Sequence, residues 1–191
     1  MKVSDDPELC PVARALHCVG DSWTLLILRD AFQGATRFDT FQRDLGIASN
    51  MLTRRLERMV ANGLLEKFRY QDRPARFEYR LTQAGRDLLP VILTLYQWGE
   101  SHRPIPQRGL RLIDRDTRAP IAPVVVDAAT GEALTLECLT LSPGPDATPA
   151  MHRRAERMHA MRARTTPNSA ETDEAAPAAG ADAVRRSIND R

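Results

Sequence analysis

The sequence predicts a mainly α-helical domain. Four helices lead into a two-stranded hairpin and a longer helix, followed by a small β-rich extension and a largely disordered tail. Three observations predict this. Apolar residues recur at helical spacing across most of residues 9 to 103. Phe77, Tyr79 and Leu81 then alternate with Glu78 and Arg80, which is the period of a strand. Composition finally changes twice, so three regions are read: 1–103, 104–145 and 146–191. The middle region is β-branched and punctuated by Pro and Gly. The last is rich in Ala, Arg, Pro, Thr and Asp, with Val184 and Ile188 as its β-branched aliphatics.

Each element has a local reason. Pro11 suits a first helical position, Val12, Leu16 and Val19 share a side, and Gly20 is a stop. A second helix from about Trp23 to Gln33 is apolar nearly all round, which marks it as the core helix. Thr36 followed by Asp39 resembles a capping box opening a short helix with Phe38, Phe41 and Leu45, closed by Gly46. Ser49 is placed to cap a fourth helix ending at Asn62-Gly63. Strands over Leu64–Tyr70 and Phe77–Leu81 flank a turn at 71–76. Thr82 then caps a helix expected to run to about Ser101 and to bend at Pro90. From Thr165 onward too little apolar surface remains to offset ordering entropy, and a basic helix over 150–164 is marginal alone.

Composition excludes several classes. The chain has 191 residues, 42% hydrophobic and 27% charged, with a net charge of only +2. Its longest nearly unbroken apolar stretch, Leu88 to Leu95, is far short of the roughly 20 residues of a spanning helix. The start is acidic and lacks the apolar core of a secretory signal. Three widely spaced cysteines make no disulfide framework, so reducing cytoplasm is the expected compartment. Phosphate-binding Gly loops, His-Glu-x-x-His and Gly-x-Ser-x-Gly are absent from the sequence, so neither an enzyme nor a cofactor is expected. His152 and His159 share a helix face without further ligands nearby, so no metal site is expected either.

Two short helices joined through Gly46-Ile47-Ala48, then a basic hairpin, make a winged helix-turn-helix. On the fourth helix, Leu52, Leu56, Met59 and Val60 fall at i, i+4, i+7 and i+8 and fix the buried face. Asn50, Arg54, Arg58 and Ala61 then point outward. An amide, a hydroxyl and a guanidinium on the N-terminal half suit base edges in a major groove. Ser49, Asn50, Thr53 and Arg54 are therefore the candidates for base contact or capping. Arg37, Arg55, Arg58, Arg69, Arg73 and Arg76 are the candidates for phosphates, with Lys67 and Arg80 adding charge to the hairpin. Residues 37 to 80 hold ten Lys or Arg against six Asp or Glu. One outward Arg is ordinarily just solvated; the whole set points to double-stranded DNA.

Several motifs, in order, resemble HxlR-type transcriptional regulators, which are related to MarR-type proteins. They are Cys10-Pro11-Val12, Gly20 to Arg29, Arg37-Phe38-Asp39, Leu52 to Leu56, Asn62 to Leu65, Glu78 to Thr82, Gly85, Leu89-Pro90-Val91 and Trp98-Gly99. The resemblance spans about residues 10 to 102. It implies a homodimeric repressor or activator on a roughly palindromic operator, with the dimer built from the first and last long helices. That would use the surplus apolar surface of 83–101, where Leu89, Ile92, Leu93, Tyr96 and Trp98 lack evident partners. Cys10 matches a cysteine that some members use to sense oxidants or electrophiles. Its place before a helix N-terminus favours thiolate, while Glu8 opposes it. The resemblance also implies a C-terminal module whose turn can carry a Cys-x-x-Cys-Gly zinc knuckle. Here Asp127 and Thr130 stand at those positions, so the extension is expected without metal, held by Leu112, Ile121, Val124, Val126, Leu134, Leu136 and Leu139.

The reading is thus a DNA-binding regulator, a repressor in the first instance, answering to a small molecule or an oxidant and not bound to membrane. The alternative is a thiol-based redox or small-ligand sensor whose main output is not DNA binding. A winged helix used only for protein contacts would need an apolar outer face on 50–61, which this sequence lacks.

Overall fold

The computed structural model describes residues 9–104 and 109–165, with side-chain surroundings as far as 161. The tail expected to be disordered lies, beyond Thr165, outside the described residues. Two compact units are distinguished, 1–139 and 140–191.

The first unit opens with α1, Pro11–Val19, and α2, Ser22–Phe32. Pro11 begins α1 as expected, because its ring pre-sets φ and a first-turn amide has no intrahelical partner. Gly20 ends the helix, its amide bonded to the Leu16 carbonyl at 2.8 Å. The central role of α2 is borne out: Ile27 and Leu28 are wholly buried and Thr24 nearly so. Asp21 caps it, accepting from the Thr24 amide at 3.0 Å and its hydroxyl at 2.6 Å.

The helix-turn-helix pair is α3, Phe38–Leu45, and α4, Ser49–Ala61. Gly46, at φ +62°, makes the left-handed turn between them at no steric cost. Both expected side-chain caps need correction. The residue before α3 is Arg37, not Thr36; the Thr36 carbonyl instead takes the Tyr79 amide at 2.7 Å. Ala48, not Ser49, precedes α4, and Ser49 is its first helical residue. At α3 the bridge to β2 claims the backbone around the capping signal.

Phe41, Ile47, Leu52, Leu56, Met59, Leu64, Leu65 and Tyr79 complete the core around Ile27 and Leu28. The wing is β1, Leu65–Gln71, paired antiparallel with β2, Arg76–Leu81, in the register Leu65 to Leu81 through Arg69 to Phe77. An irregularity between Arg69 and Gln71 turns its tip. A single antiparallel bridge from Arg37 to Glu78 joins β2 to the chain entering α3.

The expected bent helix is two helices, α5, Gln83–Arg86, and α6, Leu89–His102. The Thr82 cap is as expected, its hydroxyl accepting from the Gly85 amide at 3.0 Å. Any Cβ on Gly85 would strike the Leu64 carbonyl, so α5 is pinned against the wing base. The chain then breaks at Asp87-Leu88 and restarts with Pro90 in the first turn of α6. There the missing amide costs nothing, whereas a continuous helix would lose a bond. Ile92 packs on the core, but Val91, Leu95 and Trp98 are exposed, as are Val12 and Leu16 of α1.

The extension is thinner than expected. Among its described residues, antiparallel pairing is limited to the single bridges Ile113–Pro120 and Val126–Ala133. The Leu112 amide donates to the Tyr96 hydroxyl at 3.2 Å, tying the extension to α6. Two aspartates close its turns. Asp114 Oδ1 accepts from the Asp116 and Thr117 amides at 3.1 and 2.8 Å, and Asp127 Oδ1 from the Ala129 and Thr130 amides at 2.7 and 3.2 Å. The packing expected there is corrected: Val124 and Leu136 are 65% and 57% exposed, and Ile121, Val126, Leu134 and Leu139 are exposed too. So short a segment has no second layer on which to bury them.

In the second unit, the marginal helix over 150–164 is well formed as α7, Pro149–Thr165.

Candidate nucleic-acid interface

Helix α4 divides by exposure as its spacing demands. Leu52, Leu56 and Met59 are buried, while Ser49, Asn50, Thr53, Arg54, Glu57 and Arg58 are exposed. The buried trio locks the rotation of the helix, so the outward set points away from the core. The Thr53 hydroxyl donates to the Ser49 carbonyl at 2.9 Å, a common back-bond of helical Thr. Among the described residues no hydrogen bond or ion pair engages the Asn50 amide or the Arg54 guanidinium. They are open to a ligand without first breaking a bond.

On α4, two of the arginines assigned to phosphates also bond within the fold. Arg55 Nη1 lies 3.2 Å from Asp21 Oδ2, both side chains only 27% exposed. Arg58 Nη2 donates to the His17 carbonyl at 2.9 Å, joining α4 to α1. Asp21 thus caps α2 and holds α4 with one carboxylate. Sequence reading missed this pairing, since the partners lie 34 residues apart; the adjacent Thr24 was the only local signal. Burial by itself raises the Asp21 pKa. The hydrogen bonds from the Thr24 hydroxyl and amide, then the charge of Arg55, outweigh it and hold the carboxyl below its ordinary range.

A carboxyl with a depressed folded pKa adds stability above its ordinary value near 4, and that stability is lost as pH falls through the folded value. Asp21→Ala should therefore cost about 1–2 kcal/mol at pH 7 through the lost cap alone. Urea unfolding should show the gap between wild type and variant shrinking below pH 4. A gap independent of pH would mean that the charge of Asp21 is idle.

The wing carries its cations on aromatic faces. Lys67 lies over Phe77 at 4.2 Å, Arg80 over Phe68 at 4.8 Å and Arg37 over Tyr70 at 4.7 Å. Glu78 joins two of them, at 2.8 Å from Arg80 and 3.5 Å from Arg37. The hydrogen bond from Arg80 chiefly, and Arg37 behind it, lower the Glu78 pKa. In the sequence, Glu78 is marked only as the polar face of a strand. It fixes the wing against the N-terminus of α3. Arg69 folds back on the turn, its Nε 3.2 Å from Asp72 Oδ1 and its Nη2 donating to the Asp72 carbonyl at 2.9 Å. Arg73 and Arg76 are exposed. A cleft of about 380 Å³, lined by Arg37, Phe38, Tyr70, Arg76 and Phe77 among others, lies between α3 and the wing.

The structure therefore gathers Arg37, Arg73 and Arg76 on the wing side and Ser49, Asn50, Thr53 and Arg54 on α4. Cys10 is on neither element. It precedes α1, partly buried, and its thiol makes no bond to the helix amides. Cys138 Sγ is closed onto Thr135, accepting from its amide and donating to its carbonyl, both at 3.2 Å.

Residues 18–106 match the HxlR-like helix-turn-helix family. The uncharacterized HTH-type transcriptional regulator Rv3095 of Mycobacterium tuberculosis strain H37Rv is 42% identical over 135 residues, 70% of this chain and 85% of that one. The chain belongs to the HxlR-like family. It is a transcriptional regulator with a helix-turn-helix DNA-binding domain. Bacillus subtilis YdeP, another uncharacterized HTH-type regulator, is 37% identical over 101 residues, 52% of this chain and 79% of its own. Solved structures of two transcription-factor candidates agree in fold. PA1607 has a TM-score of 0.65 at 39% identity, covering 71% of this chain and 96% of its own. PA1374 of Pseudomonas aeruginosa has a TM-score of 0.54 at 41% identity, covering 76% and 99%. Matches of this breadth extend past the winged domain, so the similarity takes in residues beyond α6. No described helix of this HxlR-like protein is long and apolar enough to cross a membrane.

Proposed function

We propose that the protein is a homodimeric repressor that binds a palindromic operator in double-stranded DNA. Helix α4 enters the major groove, and the wing lies on the backbone beside it. The observation that carries this is the open pair Asn50 and Arg54 on a helix whose rotation is locked by Leu52, Leu56 and Met59. Asn reads adenine and Arg reads guanine by paired hydrogen bonds at major-groove edges. Arg37, Arg73 and Arg76 bind phosphates and set the register. Arg55 and Arg58, already bonded to Asp21 and His17, position α4 and contribute their charge from there. The exposed apolar residues of α1 and α6, two helices that both pack on α2, form the dimer face.

Sequencing the genomic fragments that the purified protein retains tests this reading. The expected result is one enriched motif with two-fold symmetry. Arg73→Ala should weaken binding to every sequence alike and lower the salt slope by about 1. Retention of fragments without a shared motif would overturn the operator.

A further inference from the structure

We propose that α7 is a second, sequence-independent DNA contact, in which Arg153 and Arg157 bind the phosphates of duplex next to the operator. The inference rests on the DNA-binding reading above. It starts from charge: residues 150–164 hold five Arg against Glu156 alone, in a chain whose net charge is only +2. The helix is built, not incidental. Pro149 opens it, Thr148 caps it by accepting from the Met151 amide at 3.4 Å, and the Thr148 carbonyl takes the His152 amide at 3.1 Å. The Thr140 hydroxyl lies 2.9 Å from His159 Nε2, so the preceding segment folds back along α7.

The helix has an inside and an outside. Ala155 is buried, and Met151, Arg154 and Met158 beside it are half-buried, at the spacing of one helical face. His152, Arg153, Glu156, Arg157 and Ala160 are exposed. Arg153 and Arg157, one turn apart, stand about 6 Å apart along the axis. Glu156, also exposed and between them in sequence, weakens the patch without neutralising it. A membrane surface fits poorly, because Met161 is the one large exposed hydrophobic residue of α7 among its described side chains. Duplex DNA fits well, with one negative charge per roughly 1.7 Å and no need of an apolar face. The domain bearing α4 already brings the chain to DNA, which raises the local concentration of phosphates that α7 meets.

The test uses the full chain and compares wild type with Arg153→Gln/Arg157→Gln. Affinity is measured on an enriched duplex and on random duplex of equal length, from 50 to 200 mM salt. The slope of log affinity against log salt should fall by about 1.8 per chain, at 0.9 per phosphate, with both duplexes weakened alike. Arg153→Lys/Arg157→Lys should keep the slope, and Glu156→Gln should tighten both duplexes. If wild type binds the enriched duplex and the Gln pair matches it in affinity and slope, the α7 contact is wrong and the α4 reading stands. If wild type binds no DNA, both fall. If the substitutions change only binding to anionic vesicles or acidic peptides, α7 serves another partner and the proposal is overturned.

Discussion

Arg54→Ala should lower affinity for the enriched operator by about 1–3 kcal/mol while leaving affinity for random duplex nearly unchanged. The asymmetry is the point. A guanidinium that only neutralises phosphate contributes equally on any sequence, whereas one that pairs with a base edge is lost only where that base is present. Arg54 is suited to the second role, because it is exposed on the face opposite Leu52 and Leu56 and unengaged among the described residues. Enrichment repeated with the variant should show relaxed preference at one position in each half-site. Equal loss on operator and random DNA would reassign Arg54 to the backbone. Arg55 makes a useful contrast. Its ion pair with Asp21 predicts that Arg55→Ala lowers stability as well as affinity.

Leu95→Glu should have a still larger effect on assembly. Leu95 and Trp98 are 48% and 54% exposed on α6, and Val12 is 66% exposed on α1. Burying one such side chain at an interface is worth about 1.5–3 kcal/mol. Placing an unpaired carboxylate there reverses the sign and adds a charge that is costly to desolvate. Sedimentation at low micromolar concentration should show a dimer for wild type and a monomer for Leu95→Glu. Operator affinity should fall with it by about 10²–10⁴, the usual gain from joining two half-site contacts. Helical content should be retained, since Leu95 lies outside the buried core. A wild-type monomer that binds operator tightly would overturn the dimer and with it the palindrome.

Much of the winged domain was legible because its local signals agree with one another. The all-round apolar pattern of α2, the i, i+4, i+7 set of α4 and the alternation of β2 each allow one period and one buried face. Helix ends were less legible. Thr36 and Ser49 look like caps in isolation, yet the chain before α3 is drawn into a bridge with β2, and α4 starts one residue early. The extension misled for a related reason. Its β-branched residues suggested strands with a shared core, but its order comes from Asp114 and Asp127 closing turns, and single bridges suffice for it.

The sequence by itself determined the family, the element order through the wing, and which face of α4 is turned outward. Those depend on residue spacing along one helix or strand, and spacing is written in the chain. Only the tertiary structure decided what each arginine is free to do. Arg54, Arg55 and Arg58 are chemically identical neighbours on one helix. One is open, one is held by a carboxylate 34 residues away, and one is bonded to a carbonyl on α1. Arg37 is likewise shared between Glu78 and the ring of Tyr70. Such commitments depend on distances between segments remote in sequence. A side chain long enough to reach several partners has no preference that its own position in the chain can specify.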